Sequence, residues 1–232
     1  MPVLVKGIRA TACLVAAAAG AAVASTPPPS GEIRALVQVI GRDGKRAPGA
    51  GSVVWVAERS PVAKGAVRPT LASRSKRFEP RVLVVPAGTT VDFPNFDGIY
   101  HNVFSPSEKA GFDLGLYRNG ASKSKSFESP GLVLIYCNIH PQMAAYVLVV
   151  DGPLFAQADA EGVALLAGVP AGRRAVKVWD EKGGEWSGPV EVAAGKTTPL
   201  VVTLDASAWR ESPHKNKHGR DYPPPGDDDR RY

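Results

Sequence analysis

The chain has 232 residues, with 28 Lys and Arg against 22 Asp and Glu and a formal net charge of +6. The two signs are interspersed and no basic cluster or stripe is visible, which excludes a nucleic-acid-binding reading; the mild excess permits only weak steering toward an acidic partner. With only 4 histidines, 2 cysteines and 2 methionines, the placement of each is informative.

The first 24 residues read as an export signal. Lys6 and Arg9 supply a positive start, residues 10–23 a small-residue apolar stretch, and Ala22-Val23-Ala24 a cleavage site before Ser25. This predicts a periplasmic or secreted protein. The stretch is short and alanine-rich, so a permanent membrane anchor is not expected. Cys13 lies too deep in the apolar stretch for a lipoprotein cysteine and leaves with the leader. One cysteine then remains, Cys137, and no intramolecular disulfide is possible. A solitary thiol in an oxidising compartment needs burial or a metal to protect it.

Residues 25–30, with three consecutive prolines, form a linker. Beyond it, short runs rich in Val, Leu and Phe alternate with Gly, Pro, Asn and Asp turns, and helical periodicity is nearly absent. The expectation is an all-β fold. Strands are predicted at 33–40, 52–57, 81–85, 89–93, 122–127, 132–136 and 145–150. A second set follows at 155–159, 163–167, 175–179, 190–193 and 200–204. Pro86-Ala87-Gly88 and Pro170-Ala171-Gly172 are among the turns. The length suits two small domains. Residues 206–232, with Pro223-Pro224-Pro225, Asp227-Asp228-Asp229 and few apolar groups, are expected to be a disordered tail.

Cys137 sits in Tyr136-Cys137-Asn138-Ile139-His140-Pro141-Gln142-Met143, and His101 in Tyr100-His101-Asn102-Val103-Phe104. The spacing C-x₂-H-x₂-M puts three donors on one tight loop, and His101 arrives from a different strand end. One thiolate, two imidazoles and a thioether are the donor set of a type 1 copper site, a trigonal His₂Cys plane with a weak axial Met. Soft sulfur donors suit copper; zinc gains little from a thioether and is the poorer match. Asn102 either ties the two ligand loops together by hydrogen bonds or is an ordinary turn asparagine.

These segments resemble the cupredoxin family, and the short ligand loop is most similar to amicyanin and the plastocyanin-like proteins of methylamine utilisation. Phe78-Glu79-Pro80-Arg81-Val82-Leu83-Val84-Val85-Pro86-Ala87-Gly88 is similar to the family's early strand and turn, and the resemblance runs from about Arg74 to Asp151. It implies a Greek-key β-sandwich over 70–151 holding one type 1 copper, with His101, Cys137 and His140 equatorial and Met143 axial. It also implies that His140 reaches the surface as an electron port. The surrounding apolar patch would draw on Pro141, Gln142, Ala144, Pro94 and Phe96, residues that could equally be core. Asn138-Ile139 stands where amicyanin-type loops carry Thr-Pro.

Residues 152–205 resemble the carboxypeptidase-regulatory, transthyretin-like β-sandwich, carried by Asp159-Ala160-Glu161-Gly162, Val169-Pro170-Ala171-Gly172 and Val176-Lys177-Val178-Trp179. The usual opening of that module is found instead in Val37-Gln38-Val39, Asp43-Gly44 and Gly49-Ala50-Gly51-Ser52-Val53-Val54-Trp55-Val56. Residues 31–60 are therefore expected to complete this second small sandwich, with the copper domain inserted; the alternative gives 31–60 to the copper domain.

The leading functional expectation is a carrier of single electrons, working with a redox protein partner such as a c-type cytochrome or a dehydrogenase. A copper-binding or delivery protein is the alternative. An enzyme is not expected: no H-E-x-x-H or G-x-S-x-G motif occurs, and only His214 and His218 remain for a second copper.

Overall fold

The structure, a computed structural model, describes residues 28–60 and 68–222. The regular structure of these residues is β-strand throughout. The chain begins with β1 (Ser30–Ile40), β2 (Arg46–Pro48) and β3 (Val53–Val56). It continues through β4 (Ala72–Arg74), β5 (Arg77–Glu79), β6 (Val82–Pro86), β7 (Thr89–Pro94), β8 (His101–Ser105) and β9 (Phe112–Tyr117). Then come β10 (Ser122–Phe127), β11 (Gly131–Tyr136), β12 (Ala144–Val150), β13 (Phe155–Gln157) and β14 (Val163–Pro170). The last are β15 (Gly172–Asp180), β16 (Gly184–Val192) and β17 (Thr197–Asp205). No helix among the described residues is long and apolar enough to cross a membrane.

The strands form two sandwiches, and the chain leaves the first to build the second before returning. In the first sandwich, one sheet runs β14-β1-β17 with β2 also on β1, and the other runs β13-β3-β15-β16. β1 sits antiparallel to β14 and parallel to β17, so the start of the chain is locked between two much later strands. Its inward residues alternate: Ile33, Ala35 and Val37 are fully buried, as the two-residue period of a strand requires. They meet Val54, Val56, Val176, Val178, Leu166 and Val202 in an aliphatic core. Gly162 is demanded by this packing. It has φ +79°, and a Cβ there would lie 2.4 Å from the Val37 carbonyl oxygen.

The second sandwich, β4 to β12, has a five-stranded sheet in the order β6-β12-β11-β8-β9, faced by the pair β10-β7. The short β4–β5 hairpin joins β7 through the bridges Thr70–Asp92 and Ser73–Asn95. Phe93, Val91, Val103, Ile135, Val147 and Phe127 fill its core, and Cys137 and Met143 belong to the same cluster. A third apolar cluster lies between the sandwiches, where Val53, Trp55 and Trp179 pack on Leu148 and Val150. Arg81 makes a forked pair with Glu181 across the same boundary, at 2.6 to 3.1 Å. Buried apolar area rather than a linker sets how the two sandwiches sit.

Two expectations change. Residues 206–222, expected to be disordered, are packed along the molecule and make specific hydrogen bonds. Composition missed this because the order comes from a few specific hydrogen bonds, an ion pair and ring contacts, not from a run of apolar residues. The strand β9 was not foreseen either, and β8 only as the strand end that carries His101. β8 is buried on both faces and so shows no alternation, and β9 carries Gly115 at φ +69° beside a register shift in its pairing with β8. The predicted export signal, residues 25–27 of the linker and residues 223–232 lie outside the described residues.

Candidate metal centre

Strand pairing brings the donors together. His101 opens β8 and Tyr136 closes β11, and Tyr136 pairs with Phe104 across the two strands. The hairpin joining β11 to β12 is the seven-residue loop 137–143. It is held by Cys137 N–H to Met143 O at 3.2 Å and Met143 N–H to His140 O at 3.0 Å.

His101, Cys137 and His140 converge, with their donor atoms all within 4.8 Å of one another. The two Nδ1 atoms are 3.1 Å apart, and the Cys137 Sγ lies 3.9 Å from that of His101 and 3.6 Å from that of His140. These separations test whether one ion fits. With metal–nitrogen bonds of about 2.0 Å and a metal–sulfur bond of about 2.3 Å, they correspond to angles of roughly 100°, 114° and 130° at the metal. Those angles sum to roughly 345°, a flattened trigonal arrangement of the His₂Cys kind. The donor set and its spacing fit. Met143 is fully buried in the same core cluster as Cys137, on the loop that carries Cys137 and His140.

Burial holds the donors in their neutral forms. Cys137 is completely buried and unpaired with any other cysteine. Burial pushes its thiol up, against the downward pull of the Asn102, Ile139 and His140 backbone N–H groups. His101 is also fully buried, and its Nε2 lies 2.7 Å from Asp97 Oδ2. Burial pulls His101 down more than Asp97 raises it, so the ring is neutral at pH 7. An ionised carboxylate only accepts, so Nε2 carries the proton and the Nδ1 lone pair faces Cys137. The 3.1 Å Nδ1–Nδ1 contact then requires His140 to donate. A metal ion on His140 Nδ1 would leave that ring's proton on Nε2 and would displace only the thiol proton, and protonation of thiolate or imidazole competes with it, so affinity falls in acid.

Asp97 was missed by sequence reasoning, although it stands four residues before His101. Its carboxylate also accepts from the Ser75 and Lys76 backbone N–H groups at 2.5 and 2.8 Å. Those residues form the β4–β5 turn, both at positive φ, 52° and 55°. Asp97 thereby fixes a hairpin and a ligand ring with one side chain. Burial pulls its own carboxyl up, but the Lys76 and Ser75 N–H groups and His101 outweigh this and hold it below 3.8. Asn95 shapes the same loop, donating to the Ile99 and Tyr117 carbonyls and accepting from Asp97 N–H.

Asn102 ties the two ligand segments: its Oδ1 accepts from Asn138 N–H at 3.2 Å, and its Nδ2 donates to Asp113 at 2.7 Å. His140 is only 2% exposed, so the expected exposed electron port is not found at this ring. Of the patch residues, Pro141, Gln142 and Phe96 are exposed, whereas Ala144 and Pro94 are half-buried.

No family model and no curated protein matches the chain. Parts of several solved structures are similar to it. The Cu-containing nitrite reductase from Thermus scotoductus SA-01 matches at 27% identity and a TM-score of 0.36, over 40% of this chain and 26% of that one. This chain thus spans about a quarter of the reductase's length. A purple cupredoxin from Nitrosopumilus maritimus matches at 25% identity and a TM-score of 0.32, over 35% of this chain and 98% of its own. A Cu(I) amicyanin mutant matches at 22% identity and a TM-score of 0.34, over 41% and 97%.

Proposed function

We propose that the chain binds one type 1 copper ion at His101, Cys137 and His140, with Met143 as the weak fourth donor. On this reading it carries single electrons between redox proteins outside the cytoplasm. The observation that carries the reading is the buried convergence of two Nδ1 atoms on one unpaired thiol, with spacings that suit a flattened trigonal ion. When bound, copper would supply a one-electron couple, and the chain's own residues hold its donors in one place for both oxidation states. Asp97 orients His101, Asn102 links the β8 end to the 137–143 loop, and burial excludes water from the thiol. Fixed donors limit the rearrangement that accompanies gain or loss of an electron.

A copper-delivery role uses the same ligands and differs in exchange. A carrier retains the ion against a competing chelator, and a delivery protein surrenders it. Both methionines other than Met143 and histidines beyond the pair are scarce, which supports the carrier.

The test is addition of Cu(II) to purified protein, followed by visible and EPR spectra. An intense thiolate-to-copper band that disappears in Cys137→Ser is expected. A colourless wild-type complex rules out the blue site.

A further inference from the structure

Residues 206–222, after β17, do not trail into solvent. The segment leaves the first sandwich past Trp209, whose ring lies under Lys182, and crosses to the metal end of the second. There it touches the ligand loop at several points. The His214 ring stacks on Tyr136 with centroids 4.0 Å apart and planes 1° from parallel. The Tyr222 hydroxyl donates to the Cys137 carbonyl at 2.7 Å, and the Tyr222 ring stands edge-on to His214. Lys217 closes a ring of four residues: its backbone N–H donates to Asn138 Oδ1 at 2.9 Å, and its ammonium to Asp113 Oδ2 at 2.7 Å. Asp113 accepts from Asn102, and Asn102 accepts from Asn138. This ring joins the residue after His101 to the residue after Cys137.

We propose that residues 207–222 are a strap that belongs to the metal site, with Lys217 and Tyr222 as positioning residues that clamp its two ligand-bearing segments and control access to Cys137. In its metal aspect the proposal rests on the copper reading; its effect on the thiol does not. The contacts to Tyr136, Cys137 and Asn138 fall on the backbone or the immediate neighbour of a donor residue, and the Lys217–Asp113 pair reaches Asn102 beside His101, so the strap acts on where the donors sit. It also lies against Tyr136, Cys137 and Asn138, along the face by which a small reagent or a metal acceptor would approach the loop. The loop can then exchange its ion only when the strap lifts, an opening of the local kind that proteins undergo without global unfolding.

The experiment compares the full-length, metal-free, reduced protein with Lys217→Ala/Tyr222→Ala, Lys217→Arg and Tyr222→Phe. Modification of Cys137 by a disulfide reagent is followed by mass spectrometry of its peptide, with folding checked by circular dichroism. The double variant is expected to label at least tenfold faster than wild type, Tyr222→Phe to fall between, and Lys217→Arg to stay near wild type. Copper release to a chelator should accelerate in the same order. Equal labelling in a folded double variant overturns the strap. If the double variant does not fold, hydrogen exchange of the wild type decides: a protected Lys217 amide supports the strap, and one that exchanges at the free-chain rate overturns it. Faster labelling in a protein that gives no copper band would sink the copper reading and keep the strap. A copper band with unchanged labelling and release would do the reverse.

Discussion

The two sandwiches share a texture and differ in what they bury. In the first, the only buried polar side chain among the described residues is Ser52, satisfied by Asp180 at 2.8 Å; the rest of the core is aliphatic. The second buries Ser73, Asn95, His101, Asn102, Ser105 and His140. Burying such groups costs free energy unless each finds a partner, and a half-satisfied network is worse than an apolar core. A fold that only needed stability could use the first solution twice. Four of these, Asn95, His101, Asn102 and His140, gather where the start of β8, the 95–101 loop and the 137–143 loop meet, so most of its unusual core and its chemistry are one feature.

The boundary between the sandwiches is where the comparison breaks most sharply. Trp179 is 7% exposed and packs its ring 5.6 Å from that of Tyr146. Trp179→Ala should cost about 3–5 kcal/mol, as expected for loss of a large buried aromatic. Denaturant unfolding should then separate into two transitions, with the metal spectrum unaltered in the first part of the curve. A single unshifted transition would mean that the sandwiches are held together by something other than this apolar cluster.

Asp97→Asn addresses the second sandwich alone. The exchange keeps the shape of the side chain but removes the charge facing His101, and partners of this kind typically control metal affinity by about 10–100-fold. Competitive copper titration should show a loss in that range, with the metal-free protein destabilised by about 1–3 kcal/mol, because the amide NH2 must face a backbone N–H that a carboxylate oxygen accepted from. Unchanged affinity would show that the imidazole is oriented by packing and not by Asp97.

The smallest effect concerns acid. Burial pulls the Asp113 carboxyl up, but Lys217, the Gly115 N–H and the Asn102 amide together hold it below 3.8. A carboxylate depressed in the folded state adds stability that is present above its unfolded value and is lost as pH falls through the folded one. The strap should therefore be closed at neutral pH and loosen in acid, below the ordinary carboxylate range. Hydrogen exchange of the Lys217 amide, followed against pH, checks this. Protection that is flat down to the onset of global unfolding would count against it, while the first sandwich, which lacks such a contact to the strap's ion pair, serves as internal control.

Much of the scaffold could be read from residue order alone. Alternation placed the central stretch of β1, and Pro86-Ala87-Gly88 marked a real turn, where Gly88 N–H bonds the Phe127 carbonyl. β8 was read only as a strand end at His101 and not in its extent, because a strand buried on both faces, His101-Asn102-Val103-Phe104-Ser105, has no polar side to alternate with. β16 was seen only at its end, since Gly184, Gly188 and Pro189 disguise the rest as loop.

The donor types and the C-x₂-H-x₂-M spacing were fixed by covalent order, because a short loop keeps its residues close however the rest folds. Whether His101 reaches that loop depends on β8 lying beside β11, a pairing over more than thirty positions that local pattern does not encode. Asp97, Asp113, Lys217 and Tyr222 are ordinary polar residues until folding sets them within hydrogen-bond distance of the ligand segments. A tail poor in apolar groups becomes ordered for the same reason: its partners are specific groups on β9, β11 and the 137–143 loop, and only tertiary structure gathers them.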